Sequence, residues 1–134
     1  MAALTNDRDT PMRAGDLFAY PVAASTRIHA GGLVVLEAGY AKPGRTATGL
    51  ACVGRAEEAV DNSGGANGAL VVPVRRGLFL YANSAAADAV TLADVGADAY
   101  IVDDATVAKT SATNTRSKAG TIEDVDALGV WVRI

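Results

Sequence analysis

At 134 residues the chain has the length of one domain and can bury roughly two-thirds of the surface its unfolded form exposes, so a core without covalent staples is within reach. A formal net charge of -3, with basic side chains scattered rather than striped, excludes the broad positive field that holds a phosphate backbone and argues against nucleic acid as a partner. A single cysteine, Cys52, excludes an internal disulfide, and with His29 as the one histidine no zinc-type site of several soft or imidazole ligands can be assembled.

The first fifteen residues, Met1 to Gly15, alternate charged and small residues without an apolar stretch, which reads as neither signal nor transit peptide and predicts that synthesis ends in the cytoplasm. Their composition is that of a flexible N-terminal arm (residues 1–15) ahead of a single β domain (residues 16–134). The most apolar stretch, Ile28 to Leu36, carries His29 and two glycines and stops at Glu37, far short of the roughly 20 residues that span a bilayer, so no membrane segment is expected.

From there on, short runs rich in Val, Ile, Leu and Tyr are punctuated by Gly, Asn and Asp about every ten residues, the spacing of an all-β sandwich or barrel. The predicted strands are Leu17–Val22, Leu33–Glu37, Leu50–Ala56, Ala69–Arg75, Gly77–Ala82, Tyr100–Val102, Thr106–Lys109, Gly120–Asp124 and Gly129–Ile134. Between two of the apolar runs, Asn62 to Gly68 supplies residues that tolerate positive φ and reads as a turn; no lysine or helix follows its glycines to make a phosphate cradle. In Asn83 to Val95 an alanine run follows candidate caps at Asn83 and Ser84, and Thr91 and Asp94 have capping-box spacing. With only alanine on its apolar face, this segment predicts at most one short helix. Ala108 to Lys118, dominated by Thr, Ser and Asn, reads as a solvated loop.

Two strands are apolar on both faces: Leu70, Val72 and Val74 oppose Val71 and Pro73, and Leu78 and Leu80 oppose Phe79 and Tyr81. One face of each serves the core, and the other is covered by a second sheet or by another subunit. In the last strand Val130, Val132 and Ile134 take one face, Trp131 and Arg133 the other, which makes Trp131 either a core residue or an interface residue.

The search for chemistry is short. His29, beside Ala30-Gly31-Gly32, has no nucleophile elbow to serve and reads as a surface residue. Asp88, Asp94, Asp98, Asp103 and Asp104 form an acidic stretch, but their spacing fits no EF-hand, and turn hydrogen bonds account for aspartates between strands. A glycan-cleaving or calcium-dependent enzyme using Asp98, Asp103 or Asp104 is the weakest of the readings, so the chain is expected not to be an enzyme and to need no cofactor and no metal. No glycine precedes a lysine, which excludes a P-loop. Arg75-Arg76, at the boundary of two apolar strands, reads as an interfacial corner, and the acidic stretch Asp88–Asp104 followed by bases at Lys109, Arg116 and Lys118 reads as two patches that neighbouring subunits pair.

Lys118 to Ile134, KAGTIEDVDALGVWVRI, combines an Ala-Gly before a strand, a Val-Asp turn and a closing Gly-Val-x-Val strand. With Tyr100 to Val107 before it and Ala30 to Leu36 further upstream, the order and spacing resemble the capsid cement (head decoration) proteins of tailed bacteriophages over about four-fifths of the chain. The resemblance implies a small β-tulip or β-sandwich-like domain with an extended arm, a homotrimer on the capsid exterior of a virion whose partner is the major capsid protein. It places Leu4, Thr5, Asn6, Arg8 and Arg13 of the arm against the shell, and Arg75, Arg76, Phe79, Tyr81 and Trp131 at the subunit interface. The alternative within the same class is another phage structural module, a tail or fibre-base adaptor.

Overall fold

The computed structural model describes residues 2–134, and the chain is all-β: 46% of it lies in strands, 5% in single helical turns, and no helix reaches seven residues. In chain order the strands are β1 (Leu17–Pro21), β2 (Thr26–Ile28), β3 (Leu33–Glu37), β4 (Tyr40–Pro43), β5 (Ala51–Ala56), β6 (Val60–Asn62), β7 (Val71–Arg75), β8 (Leu78–Asn83), β9 (Asp98–Ile101), β10 (Thr106–Ala108), β11 (Lys118–Asp126) and β12 (Gly129–Arg133).

The first half makes an antiparallel sheet in the order β1-β7-β5-β3-β4, with β2 and β6 paired as a separate ribbon. Beyond the end of β1, Val22 bridges Ala41 of β4, and the Ala23 amide donates to the Ala41 carbonyl at 3.0 Å, so the two edge strands approach and the sheet curls. Val22, Ile28, Val34, Val53, Val72 and Val74 fill its concave side. The second half closes into a five-stranded barrel, β10-β8-β12-β11-β9, in which β8 and β10 form the one parallel pair. Tyr81, Ile101, Val107, Ile122, Val130 and Val132 fill it.

β3 belongs to both cores. Along β3, Val34 points into the sheet's core while Leu33 and Val35 point into the barrel's, and all three are fully buried. Alternation along a strand sends neighbours to opposite faces, so LVVL is apolar throughout because both of its faces are covered.

Closing so small a barrel brings backbones unusually near one another, and two glycines make room. A Cβ at Gly120 would lie 2.2 Å from the Arg133 carbonyl oxygen, and one at Gly129, where φ is +149°, would lie 2.3 Å from that of Tyr81. Register shifts in β11, between Lys118 and Gly120 and between Ile122 and Asp124, bend that strand around the barrel.

All nine predicted strands are present, with ends displaced by a few residues. Three were not anticipated. β2 and β6 are only three residues long, and β4 (YAKP) contains a lysine and a proline that weaken any strand signal. The β3–β4 hairpin turns on Ala38 and Gly39, with φ of 52° and 84°, where the usual signal is Asn-Gly. The segment from Asn62 to Gly68 is a turn, but it is fastened: Asn62 is buried and its amide nitrogen donates to the carbonyls of Ala23 (2.9 Å) and Ala66 (3.0 Å).

The alanine-rich segment forms two single 3₁₀ turns, Ala86–Asp88 and Leu92–Asp94, the second with the predicted Thr91/Asp94 capping box. Asn83 and Ser84 cap neither: Asn83 clasps Val90 through its amide and carbonyl, both at 2.8 Å, and Ser84 donates to the Val107 carbonyl. The loop after Ala108 is less solvated than its composition implies, because Ser117 is buried, donating to the Ala47 carbonyl at 2.7 Å and accepting from the Leu50 amide at 3.1 Å.

Leu33→Ala empties space in the barrel core at the shared strand. The expected loss is about 2 to 5 kcal/mol by urea denaturation, with one transition reported alike by far-UV circular dichroism and Trp131 fluorescence.

Candidate interaction surfaces

Among the described residues, those singled out in the sequence are spread over several surfaces. Ala2 to Gly15 is exposed throughout, including Leu4, Thr5, Asn6, Arg8 and Arg13, while Met1, the first residue of the predicted arm, lies outside the described residues. Its root is fixed by an aromatic clasp: the guanidiniums of Arg13 and Arg76 lie 5.1 and 5.7 Å from the centroid of Phe18, whose ring stacks on Tyr20 at 6.2 Å.

The five residues expected at a subunit interface divide by strand parity. Tyr81 is buried in the barrel core, and Phe79, half-buried, packs against that core under the Arg55 guanidinium, 4.6 Å from the ring centroid, so both lie on the strand's inward face. On the same strand the outward residues are Leu78 and Leu80, still 41% and 37% exposed. Trp131 is paired with Leu80 across β8–β12 and lies on that same outer face, half-buried, its indole N–H donating to Asp126 at 3.0 Å. Trp131 is therefore not core.

Arg75 is engaged within the chain, donating to Asp16 at 2.8 Å and to Glu57 at 3.1 Å. It occupies the sheet face that also carries Leu33, and the barrel covers that face only over β3 and β5. Over β1 and β7 it stays open. Leu17 and Val71, on the same face, are 50% and 52% exposed.

The charge asymmetry expected between subunits is met within the chain instead, at the barrel's surface. Each base of the later segment meets an acid of the earlier one: Arg116 with Asp88 at 3.4 Å, Lys109 with Asp94 at 3.8 Å, and Lys118 with Asp98 at 3.0 Å. Neighbouring strands bring the two stretches together, which sequence distance conceals. Asp103 accepts from the Ala105 amide at 2.9 Å, a turn role, and the described residues contain no group of three or more metal-ligating side chains. His29 is exposed beside Gly31, Gly32 and Asp104.

Several carboxylates are held below the usual range. Glu37 is lowered by its hydrogen bonds to Lys42, at 2.6 Å, and to Arg45; Glu57 by Arg55 and then Arg75; Asp88 by Thr110 and then Arg116. Buried groups move the other way. Burial pushes the Cys52 thiol up to about 12 and raises Tyr81 well above its ordinary range. The Tyr81 hydroxyl has no hydrogen-bond partner among the described residues.

Comparison with protein-family models, with curated proteins and with solved structures finds no match for this chain.

Two outcomes follow from this placement. Trp131→Ala is expected to cost well under the 3 to 5 kcal/mol or so of a buried tryptophan, with barrel circular dichroism retained. For the lowered carboxylates, the folded chain binds fewer protons than the unfolded one. Their contribution is full above the ordinary values of 4.5 for glutamate and 3.8 for aspartate, and disappears as pH falls through the lowered ones. The melting temperature should hold between about pH 7 and 5 and drop below it, and Glu37→Gln should shallow that drop.

Proposed function

We propose that this chain is a non-enzymatic structural protein that binds the outer surface of a tailed-phage capsid and stabilises it as a homotrimer. The observation that carries the reading is the order of motifs in Lys118–Ile134 and its resemblance to capsid cement proteins. Two of those motifs have a physical basis in this chain: the glycines of Ala119-Gly120 and Gly129-Val130 are the ones whose missing Cβ lets the barrel strands approach.

The surfaces support the same reading. Leu78, Leu80 and Trp131 give the barrel an uncovered apolar wall, while Leu17 and Val71 give the sheet another, and apolar faces of this kind mark association sites. These replace Phe79 and Tyr81 as the residues through which copies would meet. An exposed arm on each of three linked copies supplies weak contacts to a shell that add through effective concentration.

Two of the acids that a hydrolytic site would draw on have structural occupations, Asp98 with Lys118 and Asp103 in a turn, which favours a binding role over a reaction. A capsid exterior is the location that this reading implies.

The test is co-sedimentation with expanded cognate capsids, combined with light scattering of the isolated protein. Leu80→Lys is expected to leave the melting temperature within a few degrees, since the residue is exposed, yet to convert trimers to monomers and weaken capsid binding. A wild-type protein that stays in the supernatant with shells, or sediments with tails instead, overturns the capsid reading.

A further inference from the structure

Between β6 and β7, the turn from Asn62 to Gly68 lies against the chain that leaves β1. The Gly68 amide donates to the Val22 carbonyl at 2.8 Å, the Ser25 amide to the Gly65 carbonyl at 3.2 Å, and the Ala24 amide to Asn67 Oδ1 at 2.7 Å. Asn67 and Gly68 are exposed all the same. Of Asn6, Asn62, Asn67, Asn83 and Asn114, only Asn67 precedes a glycine; the others precede Asp, Ser, Ser and Thr. A glycine has no Cβ to screen its backbone nitrogen and turns more freely than any other residue, so an asparagine side chain closes onto that nitrogen most readily here.

We infer that Asn67–Gly68 is a self-modifying site, an asparagine that deamidates through a cyclic imide, and that the fold holds the reaction in check. The Gly68 backbone nitrogen attacks Asn67 Cγ and gives its proton to solvent. The Cγ–Nδ2 bond breaks, and ammonia leaves with a proton taken from solvent. Water then adds to one of the two imide carbonyls. Opening at Cγ gives aspartate, and opening at the main-chain carbonyl gives isoaspartate. The net change is water in and ammonia out, with no oxidant and no cofactor.

The check is the pair of hydrogen bonds that occupies both reacting groups. The nitrogen that must attack has its N–H on Val22, and the side chain that must fold back over its own peptide group is pinned on Ala24, 43 residues away in sequence. Both bonds are at exposed positions outside the strand ladders, so a local opening releases them while β1 and β7 stay paired. The two products differ in what they do to this fastening. Aspartate keeps an oxygen that accepts from Ala24. Isoaspartate routes the main chain through the former side chain, adds a methylene ahead of Gly68, and displaces both bonds. The turn is then loosened where Val22 bridges Ala41 and closes the curl of the sheet.

This inference does not rest on the capsid reading, because it is tested on the isolated full-length protein without shells. The chain is incubated in mildly alkaline buffer, native and urea-unfolded, and aspartate and isoaspartate are read at each asparagine by peptide mass spectrometry. The unfolded chain is expected to convert first at Asn67, and the native chain at least about tenfold more slowly at that position. Ala24→Pro, which removes the donor to Asn67, should raise the native rate about threefold or more. A second measurement needs no substitution: in urea below the unfolding transition, the rate at Asn67 should rise in step with hydrogen exchange of the Gly68 amide. The separated isoaspartate form should melt about 5 °C below fresh protein, and Asn67→Asp within about 2 °C of it. Equal rates in the native and unfolded chains, conversion at another asparagine ahead of Asn67, or an isoaspartate form that melts like fresh protein overturns the inference.

Discussion

The structure depends on the burial of β3 from both sides. Val34 needs the curled sheet, and Leu33 and Val35 need the barrel, so neither half can complete its core without a strand whose opposite face belongs to the other. Full burial of a Val or Leu side chain is worth about 1.5 to 3 kcal/mol, and three such residues on consecutive positions of one strand make it the most economical junction the chain has. With only 5% aromatic residues, many small side chains must do the filling, and sharing a wall is how a composition rich in alanine and valine reaches a dense interior.

That arrangement decides which surfaces remain. The sheet face carrying Leu33 is covered over β3 and β5 and ends before β1 and β7, which is why Leu17 and Val71 stay open. The barrel has only an inside and an outside, so each strand must send alternate residues outward, and β8 and β12 send Leu78, Leu80 and Trp131. Charges leave less behind: the acidic and basic stretches of the second half meet across β9, β10 and β11, and the Arg75 cluster closes on Asp16 and Glu57. What the folded chain leaves on its surface is apolar wall, an exposed arm and an open groove between Ala24–Arg27 and Lys42–Arg45.

How far the sequence anticipated this follows from which signals are local. Strand existence is local, and period-2 apolar runs with turn residues between them locate nine of the strands. The strands that escaped are those whose stability comes from elsewhere: β2 and β6 are three residues each, paired with one another and anchored by Ile28 and Val60 in the sheet core, and β4 is attached through an Ala38-Gly39 turn that propensity alone does not favour. Facing is also partly local. The alternation in β8 is legible in the sequence, but which half of it turns inward depends on the barrel, which puts Tyr81 in the core and leaves Leu78 and Leu80 outside.

Pairing between segments is not local at all. Asp88 and Arg116 are 28 residues apart, and only the barrel's strand order makes them neighbours. The groove escaped for the same reason. Its two walls come from positions 24–27 and 42–45, and nothing in either stretch marks them as facing each other.

The edges of the molecule give these surfaces their weight. A closed barrel exposes no strand edge, and the open sheet ends on two short strands: β1, which begins at the charged root of the arm, and β4, whose Lys42 and Pro43 discourage pairing. Edge-to-edge stacking of copies, the default hazard of an all-β chain, is thereby blunted. The association proposed above, through side-chain faces and an arm, uses no hydrogen bond that the fold itself requires, so it would be reversible and sensitive to single residues. A chain built this way leaves Leu80 and Trp131 free to change while Leu33, Val34 and Val35 keep the fold as it is.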